Sequence, residues 1–293
     1  MIVDLVNVQT SDGLRLDGIW RKPLQPNASK LGVDLVILHH GLGGNFYGPG
    51  MFEEYSNSLL EKGCAVMRVN SRGHEPVYRE TVGGKTRNFG AAYEVVDESR
   101  YDWQAWLDLA EAAGYRKIAL WGHSLGAVKS IHYMSTQQDP RVSCVVAGSP
   151  PRFSYSTYLA ASGRDGLVRD YERAKQLIDQ GHPETLIDVD FPRQSTSAAW
   201  TYIDKYGPDE RYDVVKHIPN VKIPLLVTIG GLEGVVVGEG NSLMQFEGLA
   251  SQMEKMAGEL DNLTFEPIPE ADHAYTGQRE YASKVISGWL ERA

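Results

Sequence analysis

The distribution of apolar positions along the chain predicts strands that alternate with helices. Residues 2–22 alternate apolar and polar side chains around a turn at Ser11–Gly13, which predicts a β-hairpin. Later runs rich in Val, Ile and Leu are almost wholly apolar, as is typical of parallel strands buried on both faces. These runs are Asp34–His40, Cys64–Asn70, Lys117–Trp121, Ser143–Gly148, Pro224–Gly230 and Leu263–Pro269.

Helical patterns lie between these runs. Two patterns, over 51–61 and about 92–113, end next to Gly63 and Gly114, and glycine is typical of a helix C-terminus. A third begins near Leu125. Two more have an apolar face, formed by Phe246, Leu249, Met253 and Met256 in one and by Tyr281, Val285 and Trp289 in the other. Strands alternating with helices predict an α/β fold, doubly wound around a mostly parallel sheet.

Residues 151–218 interrupt this alternation. They contain polar helical patterns such as Leu167–Gln180 and no strong strand pattern. An insertion of this length between two strands is typical of a lid over a functional site. We therefore expect a core formed by 1–150 and 219–293 and a helical cap formed by 151–218. The many aromatic residues of the insertion either favour an apolar or aromatic substrate or pack the cap itself.

Composition and charge exclude several classes of protein. The 293 residues include 38 acidic and 29 basic side chains, with a net charge of −9, which disfavours nucleic acid as a partner. We expect no membrane span, because no apolar run approaches the roughly 18 residues required. Residues 1–4 lack a signal-peptide pattern, so we expect a cytoplasmic protein.

Cys64 and Cys144 are expected to be buried and free, and a disulfide between them is the alternative.

The most specific motif is Gly-His-Ser-Leu-Gly at residues 122–126. It lies between a predicted strand and a predicted helix, where Gly-x-Ser-x-Gly forms a nucleophile elbow. The serine of such an elbow occupies a tight, strained turn, so the residues two positions away must lack side chains. The pattern predicts Ser124 as a nucleophile.

A serine nucleophile requires backbone donors that stabilise the oxyanion. One donor is the amide N–H of Leu125, which directly follows Ser124. The other is expected in the glycine-rich loop 39–44, after an earlier strand, where the N–H of Leu42 is the natural candidate. We expect the neighbouring residues His40, Gly41 and His123 to contact the substrate.

Serine also requires a base, and histidine is the usual one. Among eight histidines, His273 lies in a loop between the last strand and the last helix. Active sites of open α/β sheets lie at the carboxyl ends of the strands, which favours His273 over the other histidines.

The histidine needs a carboxylate to orient it and to stabilise its charged form. Glu233 follows the strand Pro224–Gly230 directly and is the preferred candidate. Glu239, further along the same loop, is the alternative. Asp261 precedes a strand and thus lies at the wrong edge of the sheet, and Asp272 is too close to His273 in sequence to meet it well.

Together these motifs resemble the α/β-hydrolase superfamily, in its serine-hydrolase branch with a helical cap, over nearly the whole chain. Residues 70–74, Asn-Ser-Arg-Gly-His, also resemble the Asp-x-Arg-Gly-His signature of capped esterases and lipases. Here Asn70 replaces the usual Asp, and Glu75 replaces the Gly that usually follows. Glu233 stands where Asp is commoner in this family.

The resemblance implies a hydrolase that cleaves carboxylic esters. Ser124 would attack the acyl carbonyl of a small-molecule substrate, His273 would take its proton, and an acyl-enzyme would form. No metal or organic cofactor is implied. A serine peptidase or amidase, a thioesterase and an acyltransferase are alternatives with the same triad. A non-catalytic binding protein, or a lyase or cofactor-free oxidative enzyme on the same scaffold, are further alternatives.

Overall fold

The computed structural model describes residues 3–24, 29–48, 50–161, 164–234 and 244–293. Within these ranges the strands are β1 (Asp4–Gln9), β2 (Arg15–Arg21), β3 (Leu35–His39), β4 (Ala65–Val69), β5 (Tyr78–Val82), β6 (Lys85–Phe89), β7 (Ile118–His123), β8 (Val142–Gly148), β9 (Leu186–Val189), β10 (Ser195–Ala198), β11 (Leu225–Gly230) and β12 (Leu263–Ile268). The α-helices are α1 (Met51–Glu61), α2 (Ser99–Ala112), α3 (Leu125–Gln137), α4 (Tyr155–Ala160), α5 (Asp165–Asp179), α6 (Ala199–Tyr206), α7 (Val214–His217), α8 (Leu249–Ala257) and α9 (Arg279–Leu290).

The main sheet has the order β1-β2-β4-β3-β7-β8-β11-β12. β1 and β2 form the predicted antiparallel hairpin, and β2 is also antiparallel to β4. Every pairing from β4 to β12 is parallel. The carboxyl ends of β3, β7, β8, β11 and β12 therefore lie along one edge, where the loops that follow them meet.

Helices cover both faces of this sheet. Leu35 and Ile37 of β3 pack into a core with α2, α3 and α8, whereas Val36 and Leu38 face α1 and α9. Since successive strand residues point to opposite faces, a strand covered on both sides must be apolar at every position. This explains the continuous apolar runs and confirms the predicted doubly wound α/β fold with a mostly parallel sheet.

Residues 151–218 lie between β8 and β11 and contain α4 to α7. The stretch also contains a strand pair that the sequence did not predict, since β9 and β10 form an antiparallel pair of four residues each. Several aromatic side chains of this stretch are buried against one another, which favours packing over substrate contact for them. They are Phe153, Tyr158, Phe191, Tyr202 and Tyr206.

Residues 70–98 form a second long connection outside the main sheet, between β4 and α2. They contain the β5–β6 hairpin, which was not predicted, and the helix expected from about residue 92 begins only at Ser99, after a 3₁₀ turn at Val96–Glu98. The carbonyl of Ala92 accepts bonds from the Ala198 amide and the Thr201 hydroxyl instead of starting a helix.

A cavity of about 480 Å³ separates the β5–β6 hairpin from residues 151–218, with Trp200 in its wall.

The two cysteines are buried and free, as preferred from the sequence. Burial raises the pKa of each thiol to about 12, so both stay protonated and unreactive near neutral pH. In the part of the chain that the structure describes, no helix has the length and apolar character needed to span a membrane.

Candidate active site

Ser124 occupies a strained turn between β7 and α3. Its backbone has φ 56° and ψ −125°, a conformation that residues other than glycine rarely adopt. A Cβ on Gly122 would lie 2.1 Å from the carbonyl oxygen of Gly126, and a Cβ on Gly126 would lie 2.4 Å from that of His39. Only glycine fits at these two positions, so the turn has the steric requirements of a nucleophile elbow.

His273 lies between Ser124 and Glu233, in the loop that joins β12 to α9. Its Nε2 is 2.9 Å from Oγ of Ser124, and its Nδ1 is 2.5 Å from Oε1 of Glu233. A carboxylate only accepts, so Nδ1 carries the proton and Nε2 is free to accept one from the serine. The Glu233 side chain is 1% exposed and that of His273 is 31% exposed. The structure thus brings together the three residues predicted as a triad.

Further groups hold the Glu233 carboxylate on the side away from His273. Its Oε2 accepts bonds from the Gly230 amide (2.7 Å) and from the Ser149 hydroxyl (2.5 Å). The Tyr275 hydroxyl contacts the hydroxyls of both Ser149 (2.9 Å) and Thr228 (2.8 Å). None of these side chains was predicted. Ser149 directly follows β8, the strand between those that precede Ser124 and Glu233, and this position is the signal that could have identified it.

In the described structure, no other acidic candidate replaces Glu233 as the partner of His273. Oδ1 of Asp272 accepts the amides of Ala274 and Thr276, both at 2.9 Å, and so stabilises its own turn. Glu239 lies outside the described residues. Within the described ranges, no cluster of three or more His, Cys, Asp or Glu side chains could hold a metal ion.

The loop predicted to contribute to the oxyanion hole packs directly against the nucleophile. A Cβ on Gly41 would lie 3.0 Å from Cβ of Ser124 and 3.4 Å from its Oγ. The next amide is that of Leu42, for which the described residues provide no hydrogen-bond acceptor. Leu125 is the first residue of α3, where an amide has no acceptor within its own helix. Among the described residues, both predicted donors therefore flank Ser124 without a backbone acceptor.

His40 is buried beneath this loop, and both of its ring nitrogens are engaged. Nε2 accepts the Ser71 amide (3.1 Å), so Nδ1 carries the proton that is donated to the carbonyl of Gly41 (2.7 Å). Burial and then the nearby Lys129 charge lower the pKa of His40 to about 3, so it stays neutral. This geometry favours a role in orienting the loop over the substrate contact predicted for His40.

His123, also predicted to contact substrate, bonds instead to the loop that carries His273. Its Nε2 is 2.7 Å from the backbone carbonyl oxygen of His273, and the ring centroids of the two histidines are 4.9 Å apart. Burial, and then the proximity of His273, lower the pKa of His123 to about 3. A neutral His123 therefore donates to this carbonyl and fixes the position of the loop.

The two departures from the esterase signature both contact the segment 45–47. Oδ1 of Asn70 accepts the Phe46 amide (2.9 Å), and the Glu75 carboxylate accepts from Asn45 (2.9 Å) and from the Tyr47 hydroxyl. Glu75 has φ 58°, so it adopts the left-handed conformation that the usual glycine would adopt without strain. The carboxylate of Glu75 thus holds a loop that a glycine could not hold.

Comparison with known proteins agrees with this fold. The chain belongs to the alpha/beta hydrolase family, whose model matches residues 36–282, a span that includes Ser124, Glu233 and His273. Among curated proteins, none matches this sequence significantly.

Several solved structures share the fold. An esterase from Pyrococcus furiosus, Pf2001, is 21% identical, with a TM-score of 0.62 over 99% of this chain and 91% of that one. Est1E from Butyrivibrio proteoclasticus is 14% identical, with a TM-score of 0.63 over 98% of each chain. The alpha/beta hydrolase GrgF from Penicillium sp. sh18 is 12% identical, with a TM-score of 0.67 over 100% of this chain and 99% of that one. At these identities the similarity shows a common fold.

Proposed function

We propose that this chain is a serine hydrolase that cleaves carboxylic esters through an acyl-enzyme. The observation that carries this proposal is the continuous hydrogen-bonded series from Ser124 through His273 to Glu233, which begins at a strained elbow. A serine hydroxyl is a weak nucleophile on its own, and a base within hydrogen-bond distance activates it.

In the first half of the reaction, Oγ of Ser124 attacks the acyl carbonyl while its proton moves to Nε2 of His273. The amides of Leu42 and Leu125 stabilise the oxyanion, and the buried Glu233 carboxylate stabilises the imidazolium. His273 then protonates the leaving alcohol, and the acyl group remains on Ser124. In the second half, His273 takes a proton from water while the water oxygen attacks the acyl carbon. His273 then returns this proton to Oγ of Ser124 as the bond between the acyl carbon and Oγ breaks, and the carboxylic acid leaves.

The insertion 151–218 is proposed to act as a cap over this site. Its first residues support the proposal, because the Arg152 amide donates to the carbonyl of Gln245 (3.0 Å). The next residue, Phe246, packs its ring 5.5 Å from that of His273. The insertion is thereby connected to a side chain that borders the catalytic histidine.

An ester is the preferred substrate among acyl compounds because two of the structural neighbours named above support it. The Pyrococcus furiosus protein is named an esterase, and Est1E has been solved with ferulic acid bound. Cleavage of amides, cleavage of thioesters and acyl transfer would use the same triad. These reactions are therefore the alternatives to ester hydrolysis.

The test compares turnover of p-nitrophenyl acetate and p-nitrophenyl butyrate with turnover of a p-nitroanilide and a thioester of the same acyl group. Ester turnover that exceeds the others and disappears in Ser124→Ala supports the proposal. Faster cleavage of the anilide or thioester would replace the ester by that substrate class. Equal turnover by wild type and Ser124→Ala would remove Ser124 as the nucleophile.

A further inference from the structure

A buried ion pair lies beneath the loop that precedes Leu42. Lys129 in α3 and Glu94 pair with each other, and both side chains are 0% exposed. Removing two charges from water costs several kcal/mol per ion, and a buried pair can often be replaced by apolar residues without loss of stability. Stability alone therefore gives little reason for a protein to contain this pair, and its contacts indicate another role.

The Lys129 ammonium connects the pair to the loop through two residues. Nζ of Lys129 donates to Oγ of Ser71 (3.1 Å), and the Ser71 amide donates to Nε2 of His40 (3.1 Å). Nδ1 of His40 in turn donates to the carbonyl oxygen of Gly41 (2.7 Å). On the other side, a Cβ on Gly73 would lie 2.2 Å from the Glu94 carboxylate, so Glu94 packs closely against the turn that contains Ser71.

The hydrogen bond from His40 to the Gly41 carbonyl determines the direction in which the Leu42 N–H, a proposed oxyanion donor, points. The carbonyl of Gly41 and the N–H of Leu42 belong to one planar trans peptide, in which they point in opposite directions. A hydrogen bond that holds the Gly41 carbonyl towards His40 therefore holds the Leu42 N–H away from His40. Gly41 itself lies against Ser124, so this peptide is oriented next to the nucleophile.

We propose that Lys129 and Glu94 are positioning residues for the oxyanion hole. Lys129 fixes Ser71 and thereby His40, which orients the Gly41–Leu42 peptide, and Glu94 supplies the counter-charge that makes a buried lysine tolerable. The proposal rests on the proposed function of the Leu42 amide. It assigns to the pair no contact with substrate.

The experiment removes both charges at once in the full chain. Lys129→Met alone would leave the Glu94 carboxylate buried and unpaired, which is strongly destabilising, so the variant is Lys129→Met with Glu94→Gln. We expect its kcat for p-nitrophenyl acetate to fall about 10- to 100-fold, below the loss seen when an oxyanion donor is removed outright. KM should change less than threefold, because the donor acts mainly in the transition state.

A second pair of variants tests the connection without changing a charge. Ser71→Ala removes the hydroxyl that Lys129 contacts and should lower kcat by a similar factor, whereas Ser71→Thr retains the hydroxyl and should preserve kcat. Adding Ser71→Ala to the double variant should cause little further loss, because both changes interrupt the same connection. Additive losses, or equal kcat values for Ser71→Ala and Ser71→Thr, would contradict the proposal.

Tyr133→Phe is the matched structural control. Tyr133 lies in the same helix as Lys129 and donates to Asp139 (2.6 Å), away from Ser71. This variant should lose stability and retain the wild-type kcat. A folded double variant with wild-type kcat would overturn the proposal.

Hydrogen exchange separates failure of this proposal from failure of the proposed function. The Gly44 amide donates to the same Gly41 carbonyl (3.2 Å), so its exchange reports the order of the loop without any substrate. It should exchange faster in the double variant than in wild type and Tyr133→Phe. If wild type cleaves no ester, the proposed function fails, and the Gly44 exchange rates still decide whether the pair orders the loop. Equal rates would reject that role.

Discussion

The Ser149 hydroxyl lies 2.5 Å from Oε2 of Glu233, whereas the other oxygen of the carboxylate faces His273. Ser149→Ala leaves Oε2 with the Gly230 amide as its remaining described partner, so Glu233 is held less firmly. We expect kcat for ester hydrolysis to fall about tenfold, equivalent to ~1.4 kcal/mol in the barrier, with KM nearly unchanged. Steady-state kinetics measure both values.

Ser287→Ala is the control for this prediction, since it removes another buried hydroxyl. Among the described residues, this hydroxyl donates only to the carbonyl of Lys284 within α9. Its kcat should match wild type. A wild-type kcat in Ser149→Ala would show that Glu233 needs no support from Ser149.

The second prediction concerns the triad acid. Glu233→Gln removes the charge that stabilises the His273 imidazolium, so we expect kcat to fall by roughly 10²- to 10⁴-fold. Glu239→Gln should be close to wild type in the same ester assay. A large loss in Glu239→Gln combined with a small loss in Glu233→Gln would move the role to Glu239.

The third prediction is a dependence of stability on pH. Burial lowers the folded-state pKa of His40 to about 3, against about 6.5 when unfolded, so between these values the unfolded chain binds more protons. The stability due to neutral His40 is therefore fully present above pH 6.5 and is lost as the pH falls towards 3. Urea unfolding at several pH values compares wild type with His40→Asn, which does not titrate.

The difference in unfolding free energy between these two proteins should shrink as the pH falls, by up to about 1.4 kcal/mol per pH unit. A difference that stays constant between pH 7 and pH 4.5 would mean that His40 titrates equally in both states.

The fourth prediction uses the left-handed backbone of Glu75. Glu75→Gly and Glu75→Ala both lose the carboxylate that holds Asn45 and Tyr47, and they differ mainly in the cost of φ 58°. Glycine adopts this conformation freely, so Glu75→Gly should be more stable than Glu75→Ala by about 1 kcal/mol. Thermal unfolding measures the order, and equal stabilities would show that the backbone relaxes in the alanine variant.

The sequence allowed correct prediction of the buried parallel strands and of the turn at Ser124, where a local pattern determines the structure. The apolar runs that became β3, β7 and β11 are local, and so is the steric need for Gly122 and Gly126 around Ser124. His273 and Glu233 could be proposed because each follows a strand, and the carboxyl ends of parallel strands meet at one edge.

Features that depend on which strands are neighbours could not be predicted in this way. Ser149 supports Glu233 because β8 lies between β7 and β11, an order that local patterns do not contain. The connection from Lys129 to Gly41 joins three separate parts of the chain. The β9–β10 pair was missed because its strands are only four residues long and half polar.

The most direct measurement for the central claim is covalent labelling of the purified protein with a fluorophosphonate, followed by peptide mass spectrometry. Oγ of Ser124 would attack the phosphorus atom of this probe as it attacks the acyl carbon of an ester. The account therefore predicts modification of Ser124 and a parallel loss of ester turnover. Ser124→Ala should remain folded and unlabelled. Labelling at another residue with turnover retained, or no labelling in a protein that turns over esters, would contradict Ser124 as the nucleophile.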